Sequence, residues 1–214
     1  MQPLECPAWE YANHPKREVI LKQRTEDVLV ELYQQNFDFV ESAADTRPIH
    51  RYLFSLLVPR KYIYYAGHYR GEDFPCLKNY EVTLTGSSEE CYPAFLVEPR
   101  MEKIGQWVRE GMKVLDATHQ LPDAQLAPED KLLNTVTFTC TIFDEVLRVH
   151  PYANGNGHAA RFMIWAILGK YGYWPKQFPI EPRPNHPLYS WAIAAYRKGN
   201  KEALENYILM CIAG

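Results

Sequence analysis

Apolar residues recur along this chain mostly at helical spacing. Leu21, Val28, Leu32 and Phe39 fall seven and four residues apart, which predicts an amphipathic helix from Arg17 to about Val40. A second helix follows Pro48, carries Leu53, Phe54 and Leu57, and should end or kink at Pro59. Ile104, Trp107, Val108, Met112 and Leu115 place a third between Val97 and Asp116, and the linker LPDAQLAPED ends in helix-start signals. Residues 130–149 fit two templates. Thr135, Thr137, Thr139 and Thr141 alternate with apolar neighbours as in a half-buried strand, yet Leu132, Val136, Cys140, Phe143 and Leu147 also fit a helix. The segment has no turn signal and is too long for a typical strand, so helix is expected. Ala159 to Leu168 reads as a further helix, stopped by Gly169, Gly172 and Pro175, and Leu188 to Ile212 as the last, interrupted at Gly199.

Two segments break this pattern. Residues 61–70, KYIYYAGHYR, fit either a helix end or an extended stretch. Tyr80 to Phe95 sets two short β-prone runs around Gly86, Ser87 and Ser88, the chemistry of a hairpin with a longer loop. The expected fold is mainly α, a helical bundle with one β-hairpin.

Composition narrows the class. With 214 residues, 47% hydrophobic and 23% charged, the chain can bury a core, and disorder is excluded. A net charge of -3 without basic runs disfavours nucleic-acid binding. Glu5 and Glu10 interrupt any secretory leader, and Phe162 to Leu168, the longest apolar stretch, is too short to span a membrane. Cys6, Cys76, Cys91, Cys140 and Cys211 are odd in number and scattered, so neither a disulfide framework nor a zinc site is expected, and a cytoplasmic setting fits.

Chemistry concentrates between the two helices that flank His150-Pro151-Tyr152-Ala153-Asn154-Gly155-Asn156-Gly157-His158-Ala159-Ala160-Arg161. Two glycines let the backbone turn through positive φ and let a ligand approach closely. A helix N-terminus follows, whose free N–H groups favour an anion, and Arg161 lies one turn further on. That combination suits a phosphate or diphosphate. His150 has the chemistry of a general base near neutral pH. The same residues also suit an ordinary helix–loop–helix turn, with Asn154 and the glycines as turn formers and His150 as a C-terminal cation.

The loop resembles the signature of Fic (filamentation induced by cAMP) domains, His-Pro-Phe-x-Asp/Glu-Gly-Asn-Gly-Arg-x-x-Arg. Ile49-His50-Arg51-Tyr52-Leu53-Phe54 and Tyr65-Ala66-Gly67-His68-Tyr69-Arg70 resemble the family's upstream I-H-x-x-L-F and W-A-G-x-x-R segments, with a small insertion around Pro59. The hairpin occupies the place of the family's target-binding flap, and Tyr189 to Ile208 is similar to its C-terminal helices. The resemblance spans about residues 46–210. It implies a Fic-like domain over 46–214 with its flap near 80–95; ahead of it, over 1–45, Pro3, Pro7 and Pro15 read as an irregular arm followed by the first helix, packed on the core.

What the resemblance implies for function is protein adenylyltransfer or its like, the movement of a nucleoside monophosphate, usually AMP from ATP, to a hydroxyl of a target protein bound through the flap, with Mg²⁺ as cofactor. By position, His150 is the general base. Gly155, Asn156 and Gly157 form the anion hole, His158 stands at the first signature arginine, and Arg161 holds the terminal phosphate. Family members that transfer phosphate replace the loop glycines with Ala and Lys, and both glycines stand here. The alternatives are a degenerate protein-binding module and a phosphotransferase.

Three positions depart from the signature. Asn154 stands where the family's Mg²⁺-holding acid would be, and it offers a hard cation one neutral oxygen. His158 is shorter than arginine and only partly charged near neutral pH. Tyr152 replaces Phe, and its hydroxyl needs a partner if buried. By resemblance, Tyr189 and Trp191 line an adenine pocket, with plain packing as the equal alternative. The family's inhibitory Ser/Thr-x-x-x-Glu-Gly/Asn helix has no complete match. Lys201, Glu205 and Asn206 come nearest, so restraint would come from an antitoxin-like chain or an oligomer contact.

Overall fold

The computed structural model describes residues 6–82, 91–184 and 187–214. Among them the chain is mainly helical. The helices are α1 (Arg17–Tyr33), α2 (Phe39–Ala44), α3 (Arg47–Phe54), α4 (Ala94–Gln120), α5 (Pro128–Val149), α6 (Asn156–Lys170), α7 (Leu188–Arg197) and α8 (Lys201–Ala213), with 3-10 turns at Tyr11–Asn13 and Arg60–Tyr65. None is long and apolar enough to cross a membrane.

The central element is α6. Its residues from Ala159 to Gly169 are buried without interruption, and α5, α2, α1 and α3 all pack on it. A helix apolar all round belongs inside a bundle, so sequence alone would place it there. In α5 the helix template prevails. Thr135 and Thr139 are buried and return their hydroxyls to the carbonyls of Lys131 and Thr135 (2.8 and 2.7 Å), which satisfies polar groups inside the core.

Three expectations need correction. The helix foreseen from Arg17 to Val40 ends at Tyr33, Gln35 turns through a φ of 57°, and Asp38 caps a new helix by accepting from the Val40 and Glu41 amides. The hairpin foreseen over 80–95 falls in its centre, 83–90, outside the described residues. On either side, residues 80–82 and 91–93 form no strand, and α4 begins at Ala94 rather than near Val97. The Tyr80 and Tyr92 carbonyls instead accept from the Arg70 guanidinium (3.0 and 2.8 Å). The cysteines are not all free either, because Cys6 and Cys76 form a disulfide with their Cα atoms 5.3 Å apart.

Candidate functional site

α5 ends on His150, whose backbone is left-handed (φ 53°, ψ 61°). That conformation is uncommon for a residue with a Cβ, and surrounding bonds must hold it. Arg70 does so. Its fully buried guanidinium donates from Nε to the His150 carbonyl (2.7 Å) and from Nη2 to the Val149 carbonyl (3.0 Å), besides the Tyr80 and Tyr92 carbonyls. Its Nη1 also meets the Glu81 carboxylate (3.4 Å). One side chain thereby ties the end of α5 to the chain on both sides of 83–90.

The His150 ring is mostly buried, and Nδ1 lies 3.3 Å from the Leu147 carbonyl. With the proton on Nδ1, Nε2 keeps its lone pair. Burial, with Arg70 and Arg197 nearby, lowers the pKa of His150 to about 4, so the ring is neutral at pH 7.

The turn that follows is rigid. Asn156 closes it by accepting from the Tyr152 amide (2.7 Å) and donating to the Tyr152 carbonyl (2.9 Å). The Asn156 side chain is therefore committed to the loop. What it can offer an anion is its backbone N–H, which like that of Gly157 sits in the first turn of α6 without an intrahelical acceptor. The Tyr152 ring stacks on His50 at 3.7 Å, and its buried hydroxyl pairs with Thr46 (2.7 Å). Gly155 has a φ of 77°, and a Cβ there would lie 2.4 Å from the Phe54 ring. At Gly157 a Cβ would lie 2.9 Å from Nη1 of Arg161, which places that guanidinium directly over the loop backbone.

His50, on α3, braces the loop from behind. It is fully buried, accepts from the Gly67 amide at Nδ1 (2.9 Å) and donates from Nε2 to the Asn154 carbonyl (2.9 Å). Burial lowers its pKa to about 3, so it works as a neutral brace. Its loop partner is 104 residues away, a separation that leaves no local signal.

Asn154 does not fit a metal-holding role. Its side-chain oxygen accepts from the Gly155 amide (2.8 Å), and its amide donates to the Trp9 carbonyl (2.9 Å) and the Glu10 carboxylate (3.2 Å). It fastens the N-terminal arm to the loop. Among the described residues no group of three or more His, Cys, Asp or Glu is disposed to hold a metal ion.

The loop opens into a cavity of about 990 Å³. His150, Gly155, Asn156, Gly157, His158 and Arg161 all line it, so the chain gathers in one place the residues singled out by sequence. Arg161 is almost fully buried. Its Nε donates to the Ile180 carbonyl (2.9 Å), and among the described residues no protein acceptor meets its Nη atoms. His158 is buried too and bonds from Nε2 to Glu181 (2.7 Å); burial lowers its pKa, opposed by that bond. Tyr189 lines the cavity beside Ile193 and Leu147, whereas Trp191 does not. Sequence reasoning missed Glu10, Tyr11, Arg17 and Glu181 on the same walls.

No family model matches this chain, and no curated protein matches it.

Proposed function

We propose that this protein is a Fic-like adenylyltransferase, which moves AMP from ATP to a hydroxyl group of a target protein. The observation that carries the reading is one cavity shared by a neutral His150, the first turn of α6 and Arg161, with neither His150 Nε2 nor the Arg161 Nη atoms bonded among the described residues. A target hydroxyl reaches His150 past Tyr80 and Val82, which line the same cavity. His150 Nε2 takes the hydroxyl proton as the oxygen forms a bond to the α-phosphorus. The bond from that phosphorus to the α–β bridging oxygen breaks, and diphosphate leaves. The α6 amides and Arg161 hold its charge in place. Such catalysis rests on positioning and charge stabilisation. Tyr189 and Ile193 offer the nucleobase an apolar wall. Mg²⁺ is the usual counter-ion of a triphosphate, and no side chain of this loop is assigned to it.

Both glycines stand where the phosphate-transferring members of the Fic family carry Ala and Lys, which favours this reaction over phosphotransfer. Incubation with target-containing lysate and ATP labelled at the α- or γ-phosphate tests the reading. Label transferred from the α-phosphate supports it. Transfer from the γ-phosphate makes the protein a phosphotransferase, and binding of a partner with neither label transferred makes it a binding module.

A further inference from the structure

We propose that Arg17, the first residue of α1, is an anion-binding residue of this cavity and supplies the permanent positive charge that the loop lacks at His158. The inference rests on the nucleotide reading above and names a residue outside the segment that resembles the Fic family.

Arg17 is placed there by a chain of contacts. Trp9 is buried, donates its indole N–H to the Leu57 carbonyl (3.2 Å) and its backbone N–H to the Tyr80 hydroxyl (3.2 Å). Asn154 grips the Trp9 carbonyl, and the Tyr11 ring stands edge-on to His158 at 5.7 Å. The arm is thus fixed across the loop, and α1 starts at the rim of the cavity, with Arg17 lining it alongside His158 and Arg161.

A cation at the first position of a helix is opposed by the helix dipole, so something else must favour it. Its partners are Glu18 (3.4 Å), which is mostly in solvent, and Glu181 (3.8 Å) inside the cavity. The other oxygen of Glu181 is held by His158 at 2.7 Å. One carboxylate therefore bridges Arg17 and His158 and marks where a negative group sits between them. His158, Arg161 and Arg17 together hold the Glu181 carboxyl below its ordinary range. A phosphate brings more oxygen acceptors and more charge than a carboxylate, and a guanidinium is the side chain suited to it. In the nucleotide complex the terminal phosphate takes the place of Glu181 between Arg17 and His158, on the cavity wall that Arg161 also lines.

Binding of an ATP analogue with a non-transferable α–β bridge, measured by calorimetry, tests this on the full chain. Arg17→Gln should weaken binding roughly tenfold, the worth of one charge-assisted contact. Arg17→Lys, which keeps the charge, should stay within about threefold of the parent. Glu181→Gln should bind more tightly, and the thermal midpoints of the two Arg17 variants should match the parent. The proposal is overturned if Arg17→Gln binds like the parent, or if Arg17→Lys is as weak as Arg17→Gln, which would make the effect one of packing. A parent chain that binds no analogue overturns the nucleotide reading and this inference together, whereas a binding parent indifferent to Arg17 overturns this inference alone.

Discussion

Gly155 and Asn154 sit side by side, and each is fixed by a different physical demand. Gly155 needs a positive φ and the absence of a Cβ against Phe54. Gly155→Ala should therefore destabilise the fold by at least about 1 kcal/mol, read as a lower urea midpoint; a midpoint equal to the parent would show that the loop relaxes freely. Asn154 is a donor to the Trp9 carbonyl and to Glu10. Asn154→Asp, which would suit a metal ligand, turns that donor into an acceptor facing two other acceptors. It should cost about 1–3 kcal/mol and make the bond after Lys16 more open to trypsin. Unchanged proteolysis would mean that the arm is held without Asn154. The need for glycine at 155 is legible in the sequence, because no other residue takes that turn readily. The role of Asn154 is not, since its partners lie 145 and 144 residues away.

At the scale of elements, Arg70 joins the end of α5 to the start of α4 and the chain near Tyr80. Arg70→Met should leave the Val149, His150, Tyr80 and Tyr92 carbonyls without their donor and cost roughly 3–5 kcal/mol. Arg70→Lys should recover little, because an ammonium cannot reach acceptors on several sides as the guanidinium fork does. Urea titration of both variants checks this, and near-parent stability of Arg70→Lys would refute the clamp. The elements themselves were unevenly legible. The choice of helix for α5 follows from length and period, and the break near Gly199 from a glycine signal. The end of α1 at Tyr33 follows from neither, because Gln35 takes a positive φ with no glycine or proline beside it. Nor does any local pattern announce the Cys6–Cys76 pairing, which spans 70 residues.

Across the whole molecule, His50, His150 and His158, each with a pKa lowered by burial, link stability to pH. Both His50 and His150 have folded pKa values, about 3 and about 4, below the ordinary 6.5. As pH falls from roughly 6.5 towards 4, the unfolded chain binds protons that the folded chain refuses, so stability falls with pH. Each histidine contributes a slope of up to about 1.4 kcal/mol per pH unit. Urea midpoints at pH 7 and pH 5 measure the loss, and equal midpoints would mean that none of these rings is held neutral by the fold.

The bundle thus brings the arm, α1, the end of α5 and the start of α6 to one cavity, and the central claim is that His150 there acts as the base for nucleotidyl transfer. Incorporation of α-phosphate label from ATP into protein, compared between the parent and His150→Ala with analogue binding measured in parallel, tests it most directly. His150→Ala should lower turnover by roughly 10²- to 10⁴-fold while binding the analogue nearly as the parent does. Equal label incorporation by the two proteins, or none from the parent, would contradict the claim.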